Sequence, residues 1–497
     1  MAINRQQRII LGLKVRQFRQ ERGWNFEELG RRSGISPSYL NEIEKGKKYP
    51  QPENLNKLAE ALDLAPDFLV SQELTKQFAP LGNLLQSNFL HELPLDLFGI
   101  EVQQVVEILA RAPDRVNAFI SAMLEIARNY SLHNENFYFA ALRAYQELHM
   151  NYFEDIEQTA DVFVRQNGLP ETGGITAEWL ANTLVSKYRY KISENGLDDY
   201  PELSGIRSVF NPKKRLLLMR GSLSKSQRAF QLAKEIGFNA LRLKTRPLAS
   251  TLSRVRAFEE VLHNFHAAYF AVALLVNRNS FVEDLRGFFA RSTWDSNILP
   301  GLLAKYQVSP EVLFQRFNVL SLDFDLHKVF FLRIIHDVEQ DRFEIDKELH
   351  LNRRHQPHAS GLNEHYCRRW KAIALLRDLY EGQQSASGGI FRSMVGVQRA
   401  VFNDSNEEYL CLAVAKPGYP TVGRNVGITL GILLDERARS VIRFWDDPAI
   451  PKTVVNVTCE SCGIAECAVR AAGPSALKKR EARKHIEETI KKLTGQL

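Results

Sequence analysis

The stretch Leu29-Gly30-Arg31-Arg32-Ser33-Gly34-Ile35-Ser36-Pro37-Ser38-Tyr39-Leu40-Asn41-Glu42-Ile43-Glu44-Lys45-Gly46 decides the amino-terminal fold. Its first residues close a short helix that begins at Phe26. Gly34 then supplies the left-handed backbone that a tight turn between two helices needs. Ser36 caps the next helix, and Pro37 takes its first position, where a missing N–H costs nothing. That helix runs from Ser38 to Glu44 with Leu40 and Ile43 inward, and Gly46 closes it before Lys47-Lys48. Upstream, Ile10, Leu13, Val15 and Phe18 recur at roughly helical spacing until Glu21-Arg22-Gly23 ends the run. Downstream, Pro52 to Leu62 and Pro66 to Leu74 read as two further helices, which makes a five-helix unit.

Charge points to what such a unit meets. Residues 1–57 hold 12 Lys/Arg against 6 Asp/Glu, within a chain of net charge +7. A basic module of this kind attracts phosphate. The inward Leu29, Gly34, Ile35, Leu40, Ile43, Glu44 and Gly46, with the basic pair behind them, closely resemble the helix-turn-helix of the Cro/cI (XRE) repressor superfamily. The resemblance assigns residues 1–75 to a domain that binds double-stranded DNA, with its third helix in the major groove. Ser36, Ser38, Tyr39, Asn41 and Glu42 then lie near the exposed start of that helix. Asn41 suits an adenine edge and Glu42 the N4 amine of cytosine. Lys45, Lys47 and Lys48 suit phosphates, which position the protein without reading sequence. One such domain makes few base contacts, so a homodimer on a two-part site is expected.

At 497 residues the chain exceeds one ordinary core, so several domains are expected, α-rich with α+β parts. Its 44% hydrophobic and 25% charged residues are those of a soluble globular protein. The richest apolar run, Phe265 to Val276, is too short to span a bilayer. A polar, basic start without an apolar segment is no secretory signal, and a cytoplasmic location is expected.

Residues 76–165 read as a helical linker or dimerisation region. The first stripe is Leu95, Phe98, Val102, Val105 and Ile108-Leu109. A second runs from Val116 to Ala127, and a third holds Phe137, Ala141, Leu142, Tyr145 and Leu148. In residues 166–325, Thr176 to Val185 reads as a helix and Tyr188 to Ile192 as a strand. A hairpin follows across Asn211-Pro212, then a long helix through Gln227 to Phe238. This order resembles the ImmA/IrrE zinc metallopeptidases, whose helix carries His-Glu-x-x-His. Here the two histidine positions are Lys234 and Phe238, and only Glu235 remains. His266 stands where that family uses an acidic ligand, and His263 lies three residues before it. Catalytic zinc needs three protein ligands, so the domain is expected to lack its metal and its peptidase activity.

From about residue 326 strands dominate: Val329 to Ile335, Arg342 to Ile345, Phe391 to Val401, Tyr409 to Val414 and Val426 to Leu433. A helix is expected over Tyr366 to Tyr380 and a loop over Gln383 to Gly389, so residues 326–497 read as an α+β ligand-sensing domain. Near its end stand Cys459, Cys462 and Cys467, three of the five cysteines in the chain. Thiolates so close suit an iron–sulfur cluster or a three-thiolate zinc site, or else are reduced surface thiols or a redox pair. The repressor-type start, the peptidase-like middle and this cysteine block followed by Arg470-Ala471 together resemble the short-chain fatty-acyl regulators. That resemblance implies an acyl-CoA-type effector and a [4Fe–4S] cluster on Cys459, Cys462 and Cys467, with Cys367, Cys411 or an outside group as fourth ligand. Two other readings are a redox- or metal-sensing regulator without an organic effector and a regulated peptidase fused to its DNA-binding module. The tail Lys478 to Leu493 reads as a basic amphipathic helix.

Overall fold

A computed structural model describes residues 5–71, 134–170, 174–250, 255, 257–351, 365–385, 393–418 and 423–494. The stripes expected over Leu95 to Leu109 and Val116 to Ala127 lie outside these residues. The chain divides into two compact units, residues 1–145 with 255–258, and residues 146–254 with 259–497. Among the described residues no helix is long and apolar enough to cross a membrane.

The first unit opens with five helices: α1 (Arg5–Glu21), α2 (Phe26–Ser33), α3 (Pro37–Glu44), α4 (Pro52–Ala61) and α5 (Pro66–Val70). Their core joins Leu11 and Val15 of α1 to Leu29, Ile35, Leu40, Ile43, Leu58 and Leu69. Local chemistry sets each boundary. Asn25 accepts the Glu28 N–H at 2.8 Å to start α2, and Gly34 ends it at φ 68°. Gly12 lets α1 lie against the end of α3, since a Cβ there would stand 2.4 Å from the Ile43 carbonyl oxygen. The third expected stripe is α6 (Asn134–Leu148).

The second unit holds α7 (Glu154–Gln166) and α8 (Ala177–Tyr188), then β1 (Lys191–Ser193), β2 (Ser208–Asn211) and β3 (Leu216–Met219). The expected strand from Tyr188 is corrected here. Tyr188 ends α8, Arg189 turns the chain at φ 58°, and Tyr190 is buried, so pairing begins only at Lys191. The small sheet has the order β1-β3-β2, with the hairpin β2–β3 antiparallel and β1 parallel to β3. Next come α9 (Lys225–Ala240), α10 (Phe258–Leu275), α11 (Arg278–Phe289), α12 (Ile298–Tyr306), α13 (Pro310–Arg316) and α14 (Val319–Asp323). A buried ion pair ties α13 to α7: Arg316 donates to Glu157 at 2.5 and 3.0 Å, and Tyr269 and Asn318 complete the network.

The remaining chain forms β4 (Val329–Asp337), β5 (Arg342–His350), α15 (Lys371–Ser385), β6 (Met394–Phe402), β7 (Glu408–Pro417), β8 (Arg424–Leu433), α16 (Glu436–Val441), β9 (Lys452–Val455) and α17 (Ser475–Leu493). Its six-stranded sheet has the order β5-β4-β8-β7-β6-β9, antiparallel except for β6 with β9. Leu375, Leu376 and Leu379 of α15 pack on one face of it. The helix starts at Lys371 rather than Tyr366, because Tyr366 bridges to Thr458 instead. It also takes in Gln383 to Ser385, the start of the expected loop, whose remainder lies outside the described residues. No side chain of α17 is buried.

Candidate nucleic-acid interface and candidate ligand pocket

The start of α3 is built by its cap. The Ser36 hydroxyl accepts the Tyr39 N–H at 3.3 Å, and Pro37 occupies the first turn. Ser36 and Ser38 are exposed, Asn41 and Glu42 are half-buried, and Lys45, Lys47 and Lys48 are exposed. Tyr39 is drawn partly inward and packs against the helical core. After Gly46 the chain folds back, with the N–H groups of Lys47 and Lys48 both donating to the Glu42 carbonyl, at 2.9 and 3.2 Å. Polar side chains thus stand at the start of the helix and three exposed lysines at and after its end.

Two internal clamps hold the five helices together. Arg19 of α1 forks onto Glu44 at 2.6 and 2.9 Å and lies over the Phe26 ring at 4.3 Å. Such bidentate pairing fixes orientation as well as distance. The sequence reading placed Glu44 inward but missed its partner. Lys14, fully buried, escaped it altogether. Its ammonium donates to the Phe68 carbonyl at 2.5 Å and to the carbonyl and hydroxyl of Ser71 at 2.8 and 2.9 Å, which satisfies carbonyls at the end of α5.

In the second unit, the helix that bears Lys234, Glu235 and Phe238 borders a pocket against β2 and the segment 246–250. Its cavity volume is about 10 Å³, room for roughly one water molecule. Glu235 accepts from Arg246 at 2.6 Å and from the Tyr190 hydroxyl at 3.1 Å. The Arg246 guanidinium lies between the Phe210 and Phe238 rings, 4.2 and 4.0 Å from their centres. Lys234 is buried and donates to the side-chain oxygen of Asn264 at 2.6 Å. Burial pulls its pKa down to about 8, with Glu235 acting in the opposite sense. His266 lies beside Phe153 and Phe265, and burial lowers its pKa to about 4.

The cysteines lie at the far end of the six-stranded sheet. Segment 365–367 pairs with 457–459: the Cys367 N–H donates to Val457 at 3.0 Å, and the Cys459 N–H to His365 at 2.8 Å. Cys459 and Cys462 are buried and Cys467 is half-buried. The Ala471 N–H donates to the Cys459 sulfur at 3.4 Å. Burial raises the Cys367 pKa, and the Cys459 and Cys462 thiols act on it in the same sense, so the three are close enough to feel one another. Among the described residues no group of three or more His, Cys, Asp or Glu is arranged to hold a metal ion. Cys411 lines an apolar cavity under α15 instead, beside Trp370 and Phe402, and burial pushes its pKa up to about 12.

Residues 15–69 match the family described as Helix-turn-helix. A 244-residue segment, 46% of this chain, is 23% identical to the HTH-type transcriptional regulator PrpR of Mycobacterium tuberculosis and spans 48% of that protein. A 65-residue segment is 29% identical to the HTH-type transcriptional regulator SinR of Bacillus licheniformis, over 13% of this chain and 59% of the relative. The chain thus spans about half the length of the curated relatives it matches. A solved Mycobacterium tuberculosis transcriptional regulator is similar over 67% of this chain and 94% of its own, at 19% identity and a TM-score of 0.46. With its capped α3, its left-handed Gly34 and its common core, the amino-terminal part of this chain is an XRE-type helix-turn-helix domain.

Proposed function

We propose that this chain is a transcription regulator that binds double-stranded DNA sequence-specifically as a homodimer in the cytoplasm. The observation that carries the reading is the capped start of α3, with Ser36 and Ser38 exposed, followed after the helix by the exposed Lys45, Lys47 and Lys48. Asn41 and Glu42 would read base edges, and the lysines would neutralise phosphates. Selection of binding sites from a random duplex pool tests this. The expected product is a two-part site with half-site centres about 34–36 Å apart, or a multiple of that. Recovery of no sequence preference would overturn the proposal.

We further propose that DNA affinity responds to a short-chain acyl-CoA-type metabolite, as the resemblance of the two chain ends implies. Cys459, Cys462 and Cys467, joined by Cys367, would hold a [4Fe–4S] cluster, with three-thiolate zinc as the alternative. The donor chemistry suits either group, and the nearness of Cys367 to Cys459 and Cys462 favours it as the added thiol, although the present arrangement does not close around an ion. A bound cluster would supply a redox- and oxygen-sensitive clasp on this end of the sheet. Iron, sulfide and zinc analysis of anaerobically purified protein, with a thermal-shift panel of acyl-CoAs, tests both parts. Freely titrating thiols without metal would remove the cluster, and a flat panel would remove the effector. The peptidase-like region is proposed to be non-catalytic, since Glu235 is engaged by Arg246 and Tyr190. Proteolysis abolished by Glu235→Gln would reverse that.

A further inference from the structure

The last helix, α17, buries none of its side chains. Its first turn is tied down where the Leu477 N–H donates to the Glu460 carbonyl at 3.0 Å, and every residue from Lys478 to Leu493 is exposed. The helix carries seven Lys/Arg against three Glu. Lys479, Arg480, Arg483 and Lys484 stand at i, i+1, i+4 and i+5, so they share one face within two turns. Glu481 falls on the other side of the helix. Lys479, Arg480 and Arg483 have no ion pair among the described residues, and Lys484 reaches Glu488 at 3.8 Å.

This arrangement is costly to the free helix. Like charges at i and i+4 repel, here Lys479 with Arg483 and Arg480 with Lys484. The first turn has no acidic residue to meet the helix dipole, and Lys478 opposes it. No buried face offsets these costs. A polyanion laid against the patch would remove the repulsion. The apolar residues decide which kind of polyanion fits. A lipid surface needs an apolar stripe running alongside the cations. Here Ile486, Ile490 and Leu493 begin only beyond the patch, and Lys479, two turns before Ile486, occupies their face. The helix-turn-helix at the other end of the chain makes duplex DNA the polyanion at hand.

We propose that Lys479, Arg480, Arg483 and Lys484 of α17 form a second, sequence-independent contact with the phosphate backbone of duplex DNA. The contact is supplied by the unit that does not hold the helix-turn-helix. The inference rests on the reading of the chain as a DNA-binding regulator, to which it adds a surface that reads no bases.

The experiment measures binding of the full chain to a random-sequence duplex over a range of salt concentrations. The joint variant Lys479→Gln, Arg480→Gln, Arg483→Gln and Lys484→Gln should lower the slope of log K against log salt by roughly 3–4 per chain, about 0.9 for each phosphate no longer neutralised. The exchange Lys479→Arg, Arg480→Lys, Arg483→Lys and Lys484→Arg should keep the wild-type slope. None of these side chains is buried, so neither variant should lower the Tm, which separates a lost contact from a lost fold. If site selection recovers no sequence preference while the glutamine variant still loses slope, the regulator reading fails and this surface stands. An unchanged slope in the glutamine variant, or an equal loss in the charge-conserving one, would overturn the proposal. So would a glutamine-sensitive binding to phosphatidylglycerol vesicles or to polyglutamate without such a loss on DNA.

Discussion

The tip of α3 and the pocket on α9 both present lysines, held in opposite ways. Lys45, Lys47 and Lys48 stand in solvent, where water keeps their charge cheaply and a phosphate can replace that water. Lys234 is buried against an amide oxygen, and burial pulls its pKa down to about 8 although Glu235 favours its charge. Lys14 is a third case, buried as deeply but met by three oxygens. The same residue type therefore marks a surface for anions, a charge held down by burial, or a structural staple. The difference is the set of acceptors, not the exposure alone.

The largest test concerns a buried charge whose counter-charge is certain. Glu157→Ala should strand Arg316 and cost the second unit about 3–5 kcal/mol in denaturant unfolding. Burial would raise the Glu157 pKa, but Arg316 and the Tyr269 hydroxyl override it and hold it below 4.5. A carboxylate so lowered contributes fully above that value and loses its contribution as pH falls through the folded pKa, so acid should narrow the gap between wild type and variant. An equal gap at pH 7 and pH 3 would deny the coupling.

Lys14→Met should leave the carbonyls of Phe68 and Ser71 unmet and destabilise the helix-turn-helix domain by about 1–3 kcal/mol, seen in its thermal melt. Lys234→Met, by contrast, should leave the protein as stable as wild type or more so. If both substitutions cost the same, the distinction between a lysine met by three oxygens and one met by a single amide oxygen fails.

Paired Ser38→Ala and Asn41→Ala should lose about 1–3 kcal/mol per lost base contact on the selected site, while affinity for random duplex barely moves. Lys47→Ala with Lys48→Ala should weaken every sequence and flatten the salt dependence, read by binding at two ionic strengths. Parallel losses on both DNAs from both pairs would break the division of labour along α3. The smallest effect belongs to a cap: Asn25→Ala should cost about 1 kcal/mol, visible as a lower Tm of the amino-terminal domain alone.

Much of this was legible wherever the signal is local. The cap at Ser36, the proline after it, the turn at Gly34 and the inward Leu40 and Ile43 lie within a few residues of the groups they serve. The same holds for the hairpin of β2 and β3 and for the helix through Gln227 to Phe238. Where the local signal was ambiguous, reading failed. Tyr188 to Ile192 alternates like a strand, but Tyr190 is drawn inward to Glu235 and Phe210, which leaves Lys191 as the first paired residue. β9 is four residues long and pairs in parallel with β6, too short to show a period.

The helix-turn-helix domain, the lack of histidine at Lys234 and Phe238, and the cysteine block follow from the sequence alone. Each rests on residue type at a fixed spacing along one element. Which charges are buried, and what meets them, follows from the folded arrangement. Lys14 reaches the end of α5, Arg19 reaches Glu44, and Cys367 comes beside Cys459 and Cys462 through a strand-like pairing some ninety positions away in sequence. Burial and electrostatic pairing depend on distance in space, and a folded chain brings together residues whose separation along the sequence carries no trace of that meeting.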